Sequence, residues 1–97
     1  MILNCGKVLV KPEAIAKLKS VLPAYAAACR QSPGCLRFTM AIEDEAAGEI
    51  AVWEMWQDKP SLDALLQEPF AKAFLADFMP SILSADMSLY HVVAKAG

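Results

Sequence analysis

The chain has 97 residues, 57% of them hydrophobic, with 9 basic against 11 acidic side chains and a net charge of −2. That length predicts one domain over residues 1–97, and the scattered, slightly acidic charge argues against a nucleic-acid partner. No uncharged run approaches the roughly 20 residues of a membrane span, and the N-terminus lacks the basic-then-apolar start of a signal peptide, so a cytoplasmic protein is expected.

Residues 2–11 read as a strand, because Val8, Leu9 and Val10 are strand formers and Pro12 stops the ladder. Gly6 in its middle predicts a bulge or a close approach to the backbone. Residues 13–31 read as a helix: Ile15, Leu18, Leu22, Tyr25 and Cys29 recur at steps of three and four, which makes one apolar stripe. Pro23 falls within it and predicts a kink. Ser32-Pro33-Gly34 is a stop signal.

Residues 35–43 read as a second strand, with Leu36, Phe38, Met40 and Ile42 on one face and Arg37 and Thr39 on the other. A polar turn at 44–48 and a third strand at 49–57 complete a hairpin. Asp58 is placed to cap the next helix, with Pro60 in its first turn. Leu62, Leu65 and Leu66 belong to that helix, Pro69 interrupts it, and a second segment carries Phe70, Phe74 and Phe78 before Pro80. The last strand is expected at 87–95.

The order strand, helix, strand, strand, helix, strand is the split βαβ, ferredoxin-like arrangement of the α+β class. It predicts a four-stranded antiparallel sheet with two helices on one face and the other face open. A chain this small buries only about 65% of its surface on folding. So apolar a sequence therefore predicts a cover for the open face, and a second copy would make a dimeric α+β barrel.

In order and spacing, Val10-Lys11-Pro12-Glu13, Pro33-Gly34-Cys35-Leu36, Glu54-Met55-Trp56, Leu62-Asp63-Ala64-Leu65 and Leu66-Gln67-Glu68-Pro69-Phe70 with Phe74 resemble the antibiotic biosynthesis monooxygenase family of the dimeric α+β barrel superfamily. The resemblance covers nearly the whole chain. It implies a homodimer with one pocket per subunit between sheet and helices, and oxygenation of electron-rich aromatics, often without metal or flavin. In that chemistry the deprotonated substrate itself activates oxygen, while the protein takes a proton, excludes water and orients the ring. Members of the family often carry histidine where this chain has Leu65 or Phe70. Of the Asn, Trp and His set of the haem-degrading branch, Trp56 matches, whereas Gly6 stands near the Asn position and Phe74 near the His position.

Trp56 is either a stacking surface for an aromatic ligand or a core residue at a strand end. Phe70, Phe74 and Phe78, four residues apart on a helix, are either core or partly pocket wall. His91 is the only histidine, and reads as a structural or interface residue or as a general base. Glu54 shares a strand face with Trp56. If that face is buried, Glu54 needs a partner, with Arg37 or a second subunit's cation as the options, or it holds a raised pKa. Asn4 could donate to a ligand oxygen. Cys5, Cys29 and Cys35 fit no zinc or redox spacing and read as free, small buried hydrophobes. No Gly-rich phosphate loop, metal-ligand cluster or Ser-His-Asp set is present, so neither metal nor cofactor is expected.

These readings converge on a cofactor-independent monooxygenase for a small quinol, anthrone or polyketide-like aromatic in a mostly apolar pocket. Trp56, Phe70, Phe74 and Glu54 would bind the substrate, and Asn4 or His91 would contact its oxygen. The alternatives are a non-catalytic dimeric module that binds an apolar molecule, and a cofactorless isomerase similar to the muconolactone isomerase branch of the superfamily.

Overall fold

A computed structural model describes all 97 residues. β1 (Ile2–Val10) runs through a short 3₁₀ turn (Pro12–Ala14) into α1 (Ile15–Arg30). The hairpin β2 (Cys35–Asp44) and β3 (Glu49–Trp56) follows, then α2 (Lys59–Gln67), α3 (Pro69–Phe78), a second 3₁₀ turn (Met79–Ser81) and β4 (Ile82–His91). The four strands form one antiparallel sheet in the order β2-β3-β1-β4, with the helices on one face. This is the ferredoxin-like α+β arrangement.

The apolar stripe of α1 is buried as its spacing dictates: Ile15, Leu18, Leu22, Tyr25, Ala26 and Cys29 all face the sheet. The helix runs unbroken through Pro23, which lies on its exposed side. Asp58 caps α2, its Oδ1 accepting from the Ser61 backbone N–H at 2.9 Å and from Ser61 Oγ at 2.6 Å. Those bonds hold the Asp58 carboxyl below its usual range. Pro69 does divide the second helical region: Glu68 is extended, with φ −66° and ψ 137°, and Pro69 opens α3 in the first-turn position where a missing N–H costs nothing.

Two sequence readings need correction. β4 spans Ile82–His91 rather than 87–95. Residues 82–86 lack a clean alternation, but β1 imposes the strand on them, pairing Val10 with Ile82 and Val8 with Ala85. The strand ends at His91 because its partner there is Ile2, the first residue of β1. Leu36 does not join Phe38, Met40 and Ile42 on the inner face. The register skips between Cys35 and Arg37, so Leu36 is the extra residue of a bulge and is 49% exposed.

Gly6 bears out the expectation of a close approach. A Cβ there would lie 1.9 Å from the Asp86 backbone oxygen, and its φ of +154° is one that side chains rarely adopt. Only glycine lets β4 come this near the middle of β1.

Candidate functional site

Strand register fixes what meets on the inner, helix-covered face. Glu54 pairs with Phe38 on one side and Asn4 on the other, and Asn4 pairs with Leu89. These four form one row across the sheet. The neighbouring row is Cys35, Trp56, Ile2 and His91. In both rows the β4 residue is the most exposed. Phe38 is 4% exposed, Glu54 8%, Asn4 is half-buried and Leu89 is 46% exposed. Trp56 is fully buried, Ile2 nearly so, and His91 is exposed. The helices thus cover the β2 and β3 end of the rows and leave the β4 end open.

Glu54 is the only buried charged side chain. A carboxylate in such a position needs donors, and it has two. Asn4 Nδ2 donates to Oε2 at 3.1 Å, and the Trp56 ring Nε1 donates to Oε1 at 2.9 Å. Each oxygen has two acceptor sites, so each retains one for a further donor. Burial pushes the Glu54 carboxyl above its ordinary value of 4.5, while the bonds from Trp56 and Asn4 pull it partly back. A carboxylate with raised affinity for a proton is suited to proton abstraction.

Around it stands a group of residues that the sequence reading did not assign to the site. Tyr25 stacks on Phe74 at 3.8 Å and 13°, and meets Phe38 and Phe70 edge-on, each at 6.0 Å. Burial drives its phenol well above the ordinary range, with Cys29 and the negative charge of Glu54 adding to the effect. Cys29 is fully buried and its thiol is pushed up to about 11 by burial. Cys35 is shifted in the same direction by burial and by Glu54. All three shifts favour the protonated form, and Glu54 is the one buried carboxyl among them. The signal available in the sequence was a tyrosine and a cysteine in an otherwise aliphatic helix stripe.

The other candidates fall as follows. Arg37 pairs with Met55 on the opposite face, so it is no partner for Glu54. Trp56 offers no exposed ring face, and its polar end is committed to Glu54. Phe70 and Phe74 are half-buried around Tyr25. His91 shares the inner face but lies two strands from Trp56, roughly 10 Å at ordinary strand spacing. No group of three or more His, Cys, Asp or Glu side chains is arranged to hold a metal ion, and no helix is long and apolar enough to cross a membrane.

Comparison with known proteins places this geometry. The chain is similar in structure to Rv0793 from Mycobacterium tuberculosis, with a TM-score of 0.82 at 18% identity, covering 99% of this chain and 98% of that one. An antibiotic biosynthesis monooxygenase candidate from Deinococcus radiodurans gives a TM-score of 0.79 at 20% identity, over 100% and 97%. One from Caulobacter crescentus CB15 gives 0.82 at 21%, over 96% and 90%. At these identities the likeness carries the fold alone. No curated protein matched the chain. The sequence profile of the antibiotic biosynthesis monooxygenase family, however, matches residues 1–77, and on that match the chain belongs to this family.

Proposed function

We propose that the chain is a monooxygenase that uses neither metal nor flavin and acts on a small electron-rich aromatic of the quinol or anthrone type, with Glu54 as its base. The observation that supports this most directly is the buried carboxylate itself. It is held between the Asn4 amide and the Trp56 indole, has raised proton affinity, and stands in a row that opens toward Leu89. Substrate would approach over the inner face of β4, with Leu89 and His91 at the rim.

For an anthrone the steps balance without an added reductant. Glu54 takes a proton from the ring CH₂, and the resulting anion gives its electrons to O₂ to form a carbon–oxygen bond. The hydroperoxide then loses water, so CH₂ becomes C=O, one oxygen atom enters the ring and the other leaves as water. Asn4 and Trp56 keep the carboxylate aimed, Asn4 has a free amide oxygen and a second N–H for the substrate, and the rings of Phe70 and Phe74 flank the Tyr25 wall.

The test is oxygen uptake across a panel of anthrones and quinols. A positioned general base typically contributes 10²- to 10⁴-fold, so Glu54→Gln should cut turnover by about 100-fold or more while the fold is kept. Equal turnover in wild type and Glu54→Gln would refute the assignment. Tight binding of aromatics with no oxygen consumption would make the chain a binding module instead.

The open face of the sheet supports a homodimer as the working form. It carries Leu9 at 38%, Trp53 at 38% and Tyr90 at 52% exposure, beside half-buried Leu3 and Met55. A second sheet would cover these side chains in an interface of ~2,000 Å² or more. Light scattering at micromolar concentration should give twice the 10.5 kDa chain mass, and a stable monomer would remove the barrel.

A further inference from the structure

A cavity lies at the far end of the helix layer, between the first half of α1 and the last half of α3. Its volume is about 230 Å³. Leu18 and Phe78 form the buried floor, and Val21 and Phe74 the half-buried walls. Ala14 and Ala73 leave the space open, since larger side chains at either position would fill it. None of the residues of the Glu54 row takes part.

The polar groups at this cavity are already paired. Lys17 Nζ lies 3.5 Å from Asp77 Oδ2 across the mouth, with both side chains well exposed. Ser81 Oγ donates to the Phe78 carbonyl at 2.6 Å. The mouth is therefore neutral overall, and no buried donor or acceptor waits for a ligand. A polar or charged group entering would lose its water without recompense, whereas an apolar body would gain from the floor and walls. An apolar cavity of roughly 150 Å³ is enough for benzene, so this one matches a single substituted ring.

We infer that the slot between α1 and α3 binds a neutral, one-ring apolar molecule at a site separate from the Glu54 row. Phe74 is the wall shared by the two. One side of its ring belongs to the slot and it also stacks on Tyr25, which stands among the residues around Glu54. An occupant of the slot presses on the aromatic packing behind the candidate base.

The experiment is an NMR titration of the full chain with toluene, following methyl resonances. Saturating shifts should be largest at Leu18 and Val21. Ala73→Phe, a change at an exposed position of α3, should weaken binding by tenfold or more, and benzoate should bind at least tenfold more weakly than toluene. The inference is overturned if the shifts never saturate, if they are largest at Leu89, if Ala73→Phe binds equally well, or if benzoate binds as tightly as toluene. None of these readouts requires turnover, so failure here and failure of the oxygenase reading are distinguishable.

Discussion

Toward the Val10 end of β1 the buried residues are almost wholly aliphatic, Val8, Val10, Ile15, Leu18, Leu22, Ile50 and Val52, closed by the ring of Phe78 with half-buried Phe74 stacked on it. Toward the Ile2 end the same sheet and the same helix bury Tyr25, Cys29, Phe38 and Trp56, with Glu54 among them. The backbone scaffold is shared, yet only the second half buries groups that can exchange a proton. Burying Glu54 carries a desolvation cost that the two hydrogen bonds only partly offset, which the raised pKa records. The aliphatic half has no such cost. The two ends of one core thus differ in what they bury: apolar side chains alone at one, and a carboxylate with its two donors at the other.

The sharpest way to break that division is to damage the aliphatic end alone. Ile50 is fully buried there, and Ile50→Ala should lower unfolding stability by about 2–5 kcal/mol. Denaturant titration measures it. Turnover per folded molecule should hold, and a parallel loss of activity would mean the two ends are not independent. At the other end, Trp56→Phe keeps most of the ring but removes the N–H, leaving one Glu54 oxygen without its donor. That should cost about 1–3 kcal/mol and move the acidic limb of the pH–rate profile upward, because a stabiliser of the charged form is gone. An unmoved limb would separate Glu54 from the kinetics.

A third prediction concerns pH. The folded-state pKa of Glu54 lies above its ordinary 4.5, so the folded chain holds this proton more tightly than the unfolded chain. The resulting stabilisation is fully present below 4.5 and is lost as pH rises through the raised value. Thermal unfolding across that window should show wild type losing stability relative to Glu54→Gln, with no difference in slope as the contrary result. The smallest effect is expected at His91, exposed on the rim. His91→Ala should change stability by no more than about 0.5 kcal/mol. A larger loss in denaturant titration would show that His91 is tied into the fold.

Much of this could be read before any coordinates. The α1 stripe, the β2–β3 hairpin, the Asp58 cap and the break at Pro69 are local patterns, and local patterns survive folding. The shared face of Glu54 and Trp56 is also local, since two residues apart on a strand means the same side. What escaped was set by register. Asn4 reaches Glu54 across fifty positions of sequence, and no periodicity in either strand announces that pairing. Leu36 left the inner face through a bulge, which alternation alone does not reveal. The first half of β4 is a strand because β1 offers it a partner, not because residues 82–86 prefer to be one. Trp56 reads from sequence as either a stacking surface or a core residue, and which of the two holds is set by the helices packed over its row, where it is fully buried.

The place of β1 in the middle of the sheet has a consequence for how the chain is made. Of the four strands β1 is synthesised before the others, yet one of its neighbours is β3, about fifty residues later, and the other is β4, reaching Ala85 opposite Val8. At the usual 5–20 residues per second of synthesis, Val8 waits roughly 4–15 s for that partner. Through that interval the nascent strand Ile2–Val10 has its backbone groups and apolar side chains uncovered on at least one edge. Pairing with another chain is then in competition with pairing with its own C-terminal strand, and the speed of translation becomes one of the variables that decides how much protein reaches the native sheet.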